Sequence, residues 1–233
     1  MKVLIVDDEK AIVDLMRRSL RMEGYETVCA FCGEEAVHKV EVERPDIILL
    51  DIRMPDMDGY EVLQRIQEFD ETIPVIFITA HDKRYNKLLG LELGADDFIS
   101  KPFDTKELVF KIKAIWRRMN YGRVKQDQPG KVISLETMEI NPVLRKVFVD
   151  GEARELTFKE FDTIYFLVSH YAQVFTREQL INEIWGFDYM GNTRAVDILI
   201  KRLRSKMEPY GKYIQTVYGV GYRFEVKKDE EEQ

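Results

Sequence analysis

The chain has 233 residues, a length that favours two domains of about 100 to 120 residues over a single one. Hydrophobic residues make up 45% and charged residues 33%, with 13 Gly and 7 Pro, which excludes a collagen-like or wholly disordered chain. The first eight residues lack the apolar core of a signal peptide, and no apolar run approaches the roughly 20 residues that cross a bilayer. We therefore expect a cytoplasmic protein that does not bind a membrane.

Two cysteines, Cys29 and Cys32, stand in a C-x-x-C spacing. A redox centre needs a thiol of low pKa at a helix N-terminus, and a zinc site needs two further ligands that three scattered histidines do not obviously supply. The spacing therefore favours two small residues at the end of a strand and in the loop that follows it.

The net charge of −7 conceals an asymmetry between the two halves of the chain. Residues 1–120 contain 18 Lys and Arg against 24 Asp and Glu, whereas residues 121–228 contain 17 against 14. Within the second half, residues 194–206 hold five basic side chains and the single acid Asp197. Such a stretch is typical of a surface that binds nucleic acid, and an ordinary solvated helix face is the alternative.

Residues 1–119 alternate short apolar runs with amphipathic stretches, the pattern of repeated βα units. The apolar runs are Val3–Val6, Thr27–Cys29, Ile47–Leu50, Val75–Ile78 and Phe98–Ile99. Because most are continuous rather than alternating, they predict strands that are buried on both faces. We expect an α/β domain with a doubly wound, five-stranded parallel sheet and a last helix from about Asp104 to Met119.

Residues 120–130 are polar, lack apolar periodicity and end in Pro-Gly, which predicts a linker. Residues 131–228 begin with short strand-like pieces around an Asp150-Gly151 pair, a dipeptide that suits a type I′ hairpin. This part therefore predicts a second domain with small antiparallel sheets. The last residues, 229–233, form an acidic tail.

The rest of the second domain has the order of a winged helix. Residues 157–160 and 176–179 are capping boxes that open two helices. A basic helix follows from about Thr193 to Met207, and a closing hairpin surrounds residues 219–221. Helix, helix, basic helix and hairpin in this order indicate a DNA-binding domain.

Polar residues follow the apolar runs of the first domain, where parallel strands end at one edge of the sheet and ligands bind. They are Asp7, Asp8, Asp51, Thr79 and Lys101. Three carboxylates repel one another unless a hard cation lies among them, so the set favours Mg²⁺; the alternative is that these acids cap the following helices. With a metal and a lysine nearby, a carboxylate can accept a phosphoryl group. Nucleotide hydrolysis fits poorly, because no phosphate-binding glycine-rich loop is present.

Five motifs in this order resemble the receiver domain of two-component response regulators. They are Asp7–Glu9, Asp51–Gly59, Thr79-Ala80, Gly94–Phe98 and Lys101–Phe103. The second domain resembles the winged-helix output domain of the OmpR/PhoB class. These resemblances cover nearly the whole chain outside the linker and the tail. They imply a phosphorylation-activated, sequence-specific transcription regulator that is not an enzyme beyond its own phosphotransfer and dephosphorylation.

The receiver resemblance implies that Asp51 accepts phosphate from a sensor histidine kinase. It also implies that Asp8, Asp51 and the backbone carbonyl of Arg53 bind Mg²⁺, with Asp7 acting through a water molecule. Lys101 is expected to pair with a phosphoryl oxygen.

Two further receiver residues are implied to form a switch. Thr79 moves towards the phosphate and Phe98 follows inward. The second position is often Tyr in the family, so Phe98 keeps the packing role and lacks the hydroxyl contact.

The resemblance further implies a homodimer on phosphorylation. Three residues at spacings of four and seven on the last receiver helix are expected to pair with residues of a second copy. The pairs join Glu107, Lys111 and Arg118 to Lys87, Asp97 and Asp96, respectively. Pairing of Glu107 with Lys111 within one helix is the alternative, worth about 0.3 to 0.5 kcal/mol.

The output-domain resemblance places the basic helix in the major groove of duplex DNA. Arg202 matches a position that contacts a base, whereas Arg194 and Lys201 match phosphate contacts and Arg204 belongs to the same basic stretch. Leu199 stands where the family often has His, which leaves a thymine methyl or sugar contact as the alternative there.

The closing hairpin is expected to form the wing, with Tyr218 and Arg223 contacting DNA. Tyr218 stands where the family often has Arg, so it lacks the guanidinium of the usual minor-groove contact, and a thymine methyl or sugar contact is the alternative. RNA polymerase is a further expected partner.

Two other classes of protein stay open at this point. One is a phosphorylation-controlled interaction protein whose second domain binds a protein, and the weaker one is an aspartyl-phosphate phosphatase. Salt-dependent binding to duplex DNA distinguishes the regulator from the interaction protein, and multiple turnover of a phosphoester would identify the phosphatase.

Overall fold

The computed structural model describes residues 1–80, 94–119, 132–186, 189 and 192–226, apart from the side chains of residues 117 and 118. The chain divides into two compact units, Met1–Tyr121 and Gly122–Gln233. The predicted linker at 120–130 and the predicted tail at 229–233 lie outside the described residues, so their boundaries stay predictions.

The first unit is built on a five-stranded sheet in which all neighbouring strands are parallel. Its strands are β1 (Lys2–Val6), β2 (Glu26–Ala30), β3 (Ile47–Asp51), β4 (Val75–Thr79) and β5 (Asp97–Ser100). The order across the sheet is β2-β1-β3-β4-β5. Its described helices are α1 (Lys10–Met22), α2 (Gly33–Glu43), α3 (Gly59–Asp70) and α4 (Thr105–Met119). The predicted doubly wound sheet is confirmed.

The strands of this sheet are continuous apolar runs because both of their faces are buried. Every residue of β3 and β4 is buried. On one face, Met16 and Leu20 of α1 and Leu108 and Ile112 of α4 pack with the sheet in a single hydrophobic core. This packing fixes the strand ends, and therefore the residues that follow them. No helix in the described part of the chain is long and apolar enough to cross a membrane.

The second unit begins with a four-stranded antiparallel sheet in the order β6-β7-β8-β9. The strands are β6 (Ile133–Leu135), β7 (Met138–Asn141), β8 (Lys146–Val149) and β9 (Glu152–Arg154). Asp150 and Gly151 connect β8 to β9 with φ angles of 54° and 81°. Because a type I′ turn requires positive φ at both central residues, the predicted hairpin is confirmed.

In the described part of this unit, three α-helices, a 3-10 helix (Tyr210–Tyr213) and a second small sheet follow. The α-helices and the strands of this sheet are α5 (Phe158–Ser169), β10 (Phe175–Thr176), α6 (Arg177–Ile184), α7 (Arg194–Lys206), β11 (Ile214–Val217) and β12 (Gly221–Phe224). Both predicted capping boxes are present, Thr157 with Glu160 at α5 and Thr176 with Gln179 at α6. The winged-helix order is therefore confirmed.

The helix α7 buries a wider face than its sequence pattern predicts. Val196, Ile200 and Leu203 are buried as expected, and Ala195 and Leu199 join them. Leu199 is only 7% exposed, so the alternative contact of its side chain with DNA is not supported. Its apolar side chain is held in the core of the domain instead.

Candidate metal centre and nucleic-acid interface

The packing of the parallel sheet brings the predicted polar residues to one edge. Asp7 follows β1, Asp51 and Thr79 end β3 and β4, and Lys101 follows β5, which are neighbours in the sheet. One carboxylate oxygen from each of Asp7, Asp8 and Asp51 lies within 4.8 Å of the other two. The structure therefore assembles the acidic cluster that the strand ends predict.

Lys101 neutralises part of this acidic cluster. Its Nζ donates a hydrogen bond to Asp51 Oδ2 at 2.9 Å and lies 2.8 Å from Asp7 Oδ2, a charge pair whose angles are not those of a hydrogen bond. Burial lowers the pKa of Lys101, but the carboxylates of Asp7 and Asp51 raise it by more. The net effect is a raised pKa, which favours the ammonium form. The exposed Glu9 carboxylate lies 3.6 Å from the same Nζ, a contact that the sequence pattern did not identify.

Asp7 is the most strongly buried member of the cluster. Its side chain is 0% exposed, and burial raises its pKa above the ordinary value despite the opposing effect of Lys101. Asp7 Oδ1 accepts a hydrogen bond from the backbone N–H of Glu9 at 2.9 Å. Asp7 Oδ2 accepts no hydrogen bond from the residues that the structure describes. A buried oxygen with unused lone pairs, beside two more carboxylates, fits a hard divalent cation that prefers oxygen ligands.

The two predicted switch residues lie next to this edge. Thr79 is 2% exposed, and its backbone oxygen accepts a hydrogen bond from Lys101 N at 2.7 Å. Phe98 is 8% exposed, and its ring centroid lies 5.6 Å from that of Phe77. The ring of Phe98 is therefore directed inward, while its role as a switch stays a prediction.

The loop from Asp51 to Gly59 is fixed at its far end by backbone contacts. The N–H of Gly59 donates to the Ile52 carbonyl at 2.8 Å, and Asp58 caps α3 by accepting from Glu61 N at 2.9 Å. A Cβ added at Gly59 would overlap the backbone oxygen of Asp51 and lie 2.9 Å from Ile52 Cα. Glycine is therefore required for the close approach of α3 to the residue that ends β3.

The same loop also caps a second helix. The first helical N–H of α2, at Gly33, donates to Asp56 Oδ2 at 2.8 Å, and Glu34 N lies 3.3 Å from the same oxygen. Desolvation raises the pKa of Asp56, but hydrogen bonds from several backbone N–H groups together lower it more, so the net direction is down. Cys32, the residue before α2, makes no side-chain cap. Asp56 thus holds the loop against α2.

We expect Gly59→Ala to lower the free energy of unfolding by about 1 to 3 kcal/mol, because overlap with the backbone of Asp51 forces a shift. Chemical denaturation measures this effect. Gly24→Ala is the control, because a Cβ there meets nothing within 4 Å, although the φ of +82° disfavours it. Phosphoryl uptake should slow in Gly59→Ala and stay unchanged in Gly24→Ala; equal uptake in both would contradict the positional role.

The outward face of α7 differs from the predicted DNA-binding set. Arg194, Lys201 and Ser205 are exposed and follow one another at spacings of seven and four. Arg202 instead lies beside Glu160: its Nη2 is 3.1 Å from Glu160 Oε1, and its side chain is 22% exposed. Arg202 is therefore held within the domain in this structure, because a buried carboxylate attracts it, and its contact with a base stays a prediction.

Arg204 is engaged within the domain rather than on its surface. Its guanidinium donates to the carbonyl of Ile214 at 2.6 and 2.9 Å and to Thr216 Oγ1 at 2.9 Å. These bonds join α7 to β11. We therefore correct the predicted DNA contact of Arg204 to a structural role, since such a contact requires breaking these bonds.

The first turn of α7 is joined to α6 and to the wing. Asp197 Oδ1 accepts from Arg177 Nε at 2.7 Å and from the Tyr222 hydroxyl at 2.6 Å. Burial and the bond to Asp197 raise the pKa of Tyr222, so the phenol stays protonated as a donor. The single acid of the basic stretch thus fixes α7 against the wing.

The predicted wing residues differ in exposure. Tyr218 is 93% exposed in the turn between β11 and β12, where it is free to contact a ligand. The guanidinium of Arg223 donates to Gln215 Oε1 at 3.1 and 3.2 Å and lies 2.7 Å from Glu225 Oε2. Arg223 is therefore held along the hairpin, and Tyr218 is the better placed of the two.

The predicted dimer face is only partly described. Lys87 and the side chain of Arg118 lie outside the described residues. Asp96 is 5% exposed, and its Oδ2 accepts from Val75 N at 3.0 Å, so its carboxylate is engaged within this chain and its pairing with a second copy stays a prediction.

The other three described residues of that face are accessible to different degrees. Asp97 pairs with Lys111 of the same chain at 2.9 Å, and both side chains are 15% exposed. Glu107 is exposed one turn earlier on α4. An intrachain pair therefore replaces the predicted pair of Asp97 and Lys111 between two copies in this structure.

A parallel sheet with this acidic edge, followed by a winged helix, defines the class of proteins in which a receiver domain accompanies a DNA-binding output domain. The family model of the response regulator receiver domain matches residues 3–113. The model of the C-terminal domain of transcriptional regulatory proteins matches residues 151–224. The chain belongs to the two-component response regulators of the OmpR/PhoB type.

Solved structures agree with this assignment. The response regulator DrrB, an OmpR/PhoB homologue from Thermotoga maritima, is 31% identical over 97% of this chain and 99% of its own, with a TM-score of 0.50. A mutant of RitR is 25% identical over 96% of this chain and 98% of its own, with a TM-score of 0.74. A CheY-like receiver from Methanospirillum hungatei is 34% identical over 52% of this chain and 96% of its own, with a TM-score of 0.50.

Proposed function

We propose that Asp51 is the phosphoryl acceptor of this response regulator and that its donor is the phosphohistidine of a sensor kinase. One observation carries this proposal: three carboxylates meet within 4.8 Å, and the ammonium of Lys101 hydrogen-bonds to Asp51 among them. Asp51 is 5% exposed, so an acyl phosphate formed there is shielded from bulk water.

Asp8, Asp51 and the backbone carbonyl of Arg53 are the proposed ligands of Mg²⁺, with Asp7 acting through a water. The cation would supply charge neutralisation for the oxygens of the transferred group. An oxygen of Asp51 attacks phosphorus while the bond from phosphorus to the histidine nitrogen breaks, and the imidazole retains the electron pair. Lys101 then offers its ammonium to a phosphoryl oxygen, since it already lies 2.9 Å from Asp51 Oδ2.

The proposed switch uses residues that lie next to the same site. Thr79 is proposed to bind a phosphoryl oxygen, and Phe98 to keep the inward packing against Phe77 that this structure has. This state is proposed to favour a dimer through the face that contains Glu107 and Lys111 of α4. RNA polymerase is a further proposed partner once the dimer is bound to DNA.

The output domain is proposed to bind duplex DNA through the outward face of α7 and the wing. Arg194 and Lys201 are exposed on this face, and Tyr218 is exposed at the wing turn. The two cations suit phosphates, which orient the protein without reading sequence. Sequence reading requires a donor that reaches a base edge, and Arg202 is the proposed donor once it leaves Glu160.

The test measures binding of the full chain to duplexes selected from a random pool, with and without a small-molecule phosphodonor and Mg²⁺. Selection of one sequence by the phosphorylated protein supports the regulator function. Phosphorylation-dependent capture of a protein without salt-dependent DNA binding would instead indicate an interaction protein.

Within this test, we expect Lys201→Ala to weaken the selected and a scrambled duplex alike and to reduce the salt slope by about one. The reason is that an exposed lysine on α7 neutralises one phosphate wherever it binds. Lys212→Ala is the matched control, because it removes an exposed lysine outside α7. Equal effects of the two substitutions would contradict a DNA contact by Lys201.

A further inference from the structure

A buried carboxylate lies directly beside the proposed base-reading residue of α7. Glu160 is 0% exposed at its side chain and belongs to the capping box of α5. Its Oε2 accepts hydrogen bonds from Thr157 N at 2.9 Å and from Lys206 Nζ at 3.0 Å. Its Oε1 lies 3.1 Å from Arg202 Nη2 but accepts no hydrogen bond from the described residues.

The two cations on Glu160 are therefore not equivalent. Lys206 makes a hydrogen bond, whereas Arg202 makes a charge contact with poor angles, and charge-assisted hydrogen bonds are the stronger of the two. A buried carboxylate that loses its sole cation is strongly disfavoured, because an uncompensated charge remains. With Lys206 in place, the departure of Arg202 leaves Glu160 neutralised.

We propose that Glu160 and Lys206 form a release site for Arg202: Glu160 holds the guanidinium away from DNA, and Lys206 allows it to leave. Arg202 and Lys206 are four residues apart and therefore project from the same side of α7. A guanine edge offers Arg202 two acceptors, N7 and O6, only where the right base pair is present, whereas phosphates, which can also accept two hydrogen bonds, are present on every duplex. A carboxylate that competes for Arg202 therefore suppresses the contact that does not depend on sequence. Glu160 is thus a positioning residue that makes the contact of Arg202 depend on sequence. This inference rests on the proposed DNA binding by α7.

The proposal predicts opposite effects on DNA affinity for substitutions at Glu160 and at Lys206. Glu160→Gln keeps an acceptor for Thr157 N, so the capping box is retained, but it no longer attracts Arg202. The freed guanidinium then contacts phosphates on any duplex. We expect about tenfold tighter binding to the scrambled duplex, as one added charged hydrogen bond implies, and a salt slope steeper by about one. The ratio of affinities for the selected and scrambled duplexes should fall.

Lys206→Met removes the cation that stays behind, so Glu160 retains Arg202 more firmly. We expect the affinity for the selected duplex to fall about tenfold in the wild-type background, and about twofold or less when Glu160→Gln is also present. This dependence on background separates release of Arg202 from the simple loss of one positive charge, which lowers affinity equally in both backgrounds.

The experiment uses the full chain after phosphodonor treatment, the selected and scrambled duplexes, and several salt concentrations. Glu178→Gln, which removes an exposed carboxylate from the first turn of α6, controls for the change in net charge. Thr157→Ser retains the cap and both charges and should behave like the unchanged protein. Thermal unfolding of each variant verifies that it is folded.

The outcomes separate this inference from the function on which it rests. If the unchanged protein binds neither duplex, the proposed DNA binding fails. If it binds but Glu160→Gln leaves the salt slope and the affinity ratio unchanged, or Lys206→Met acts equally in both backgrounds, the release site is overturned. If Glu160→Gln is unstable, the comparison of Lys206→Met with Lys201→Ala decides. Equal losses of affinity in these two variants, on both duplexes, would also overturn the release site.

Discussion

Asp51→Asn is expected to abolish phosphoryl uptake, whereas the unchanged protein gains one phosphoryl group from a small-molecule donor in the presence of Mg²⁺. The amide lacks the anionic oxygen that attacks phosphorus, yet it keeps the size of the side chain and an acceptor for Lys101. Intact-protein mass spectrometry measures the uptake, and Asp51→Asn should show no mass increase.

Asp56→Asn is the matched control for this prediction, because Asp56 belongs to the same loop. Its carboxylate is held by the N-terminus of α2, and an amide oxygen can accept the same bond from Gly33 N. This variant should take up one phosphoryl group like the unchanged protein. A phosphoryl group that persists on another carboxylate of Asp51→Asn would contradict the assignment of Asp51.

Lys101→Met is expected to lower the free energy of unfolding in metal-free buffer by about 3 to 5 kcal/mol, as removal of one partner from a buried ion pair does. The Lys101 side chain is 11% exposed and those of Asp7 and Asp51 are 0% and 7%, so water screens this cluster little. Methionine keeps the apolar stem and removes the charge. Millimolar Mg²⁺ should restore part of the loss.

The loss should depend on pH in a defined direction. The folded-state pKa of Asp7 already lies above its ordinary value, and loss of the ammonium raises it further. Between the ordinary and the raised pKa, the folded state binds a proton that the unfolded state has released, so stability falls as pH rises through this window. Lys101→Met should therefore differ least from the unchanged protein at acid pH.

Lys113→Met is the control for this substitution. Lys113 pairs with Glu23 at 2.6 Å, but the two side chains are 55% and 41% exposed. Exposed pairs are worth about 1 kcal/mol or less, and Mg²⁺ should not change this variant's stability selectively. If Lys101→Met at neutral pH loses as little free energy of unfolding as Lys113→Met, the stability of the acidic cluster does not depend on its lysine.

The sequence predicted the receiver fold and its acidic edge well because both depend on local patterns. Continuous apolar runs define the strands, and the topology of parallel sheets then requires Asp7, Asp51, Thr79 and Lys101 to meet. The capping boxes and the Asp150-Gly151 turn were likewise identified because their chemistry lies within four consecutive residues.

The errors concern side chains whose partners are distant in sequence. Arg202 and Glu160 are 42 positions apart, and Arg204 bonds to a carbonyl on β11. A helical periodicity places such residues on a face but does not identify which cations on that face already have an acidic or carbonyl partner. The acceptor role of Asp96 towards Val75 was missed for the same reason, since it arises from the pairing of β4 with β5.

The cap that Asp56 provides to α2 has a consequence for the direction in which a signal can travel. The loop after Asp51 is secured twice, by Asp56 at α2 and by Gly59 at Ile52, so this flank of the sheet resists displacement. On the opposite flank, Lys101 reaches across from β5. The backbone after Asp51 is held by hydrogen bonds on the α2 side, whereas Lys101 contacts Asp51 through its side chain alone. We therefore expect a rearrangement that starts at Asp51 to pass towards β4 and β5 rather than towards α2.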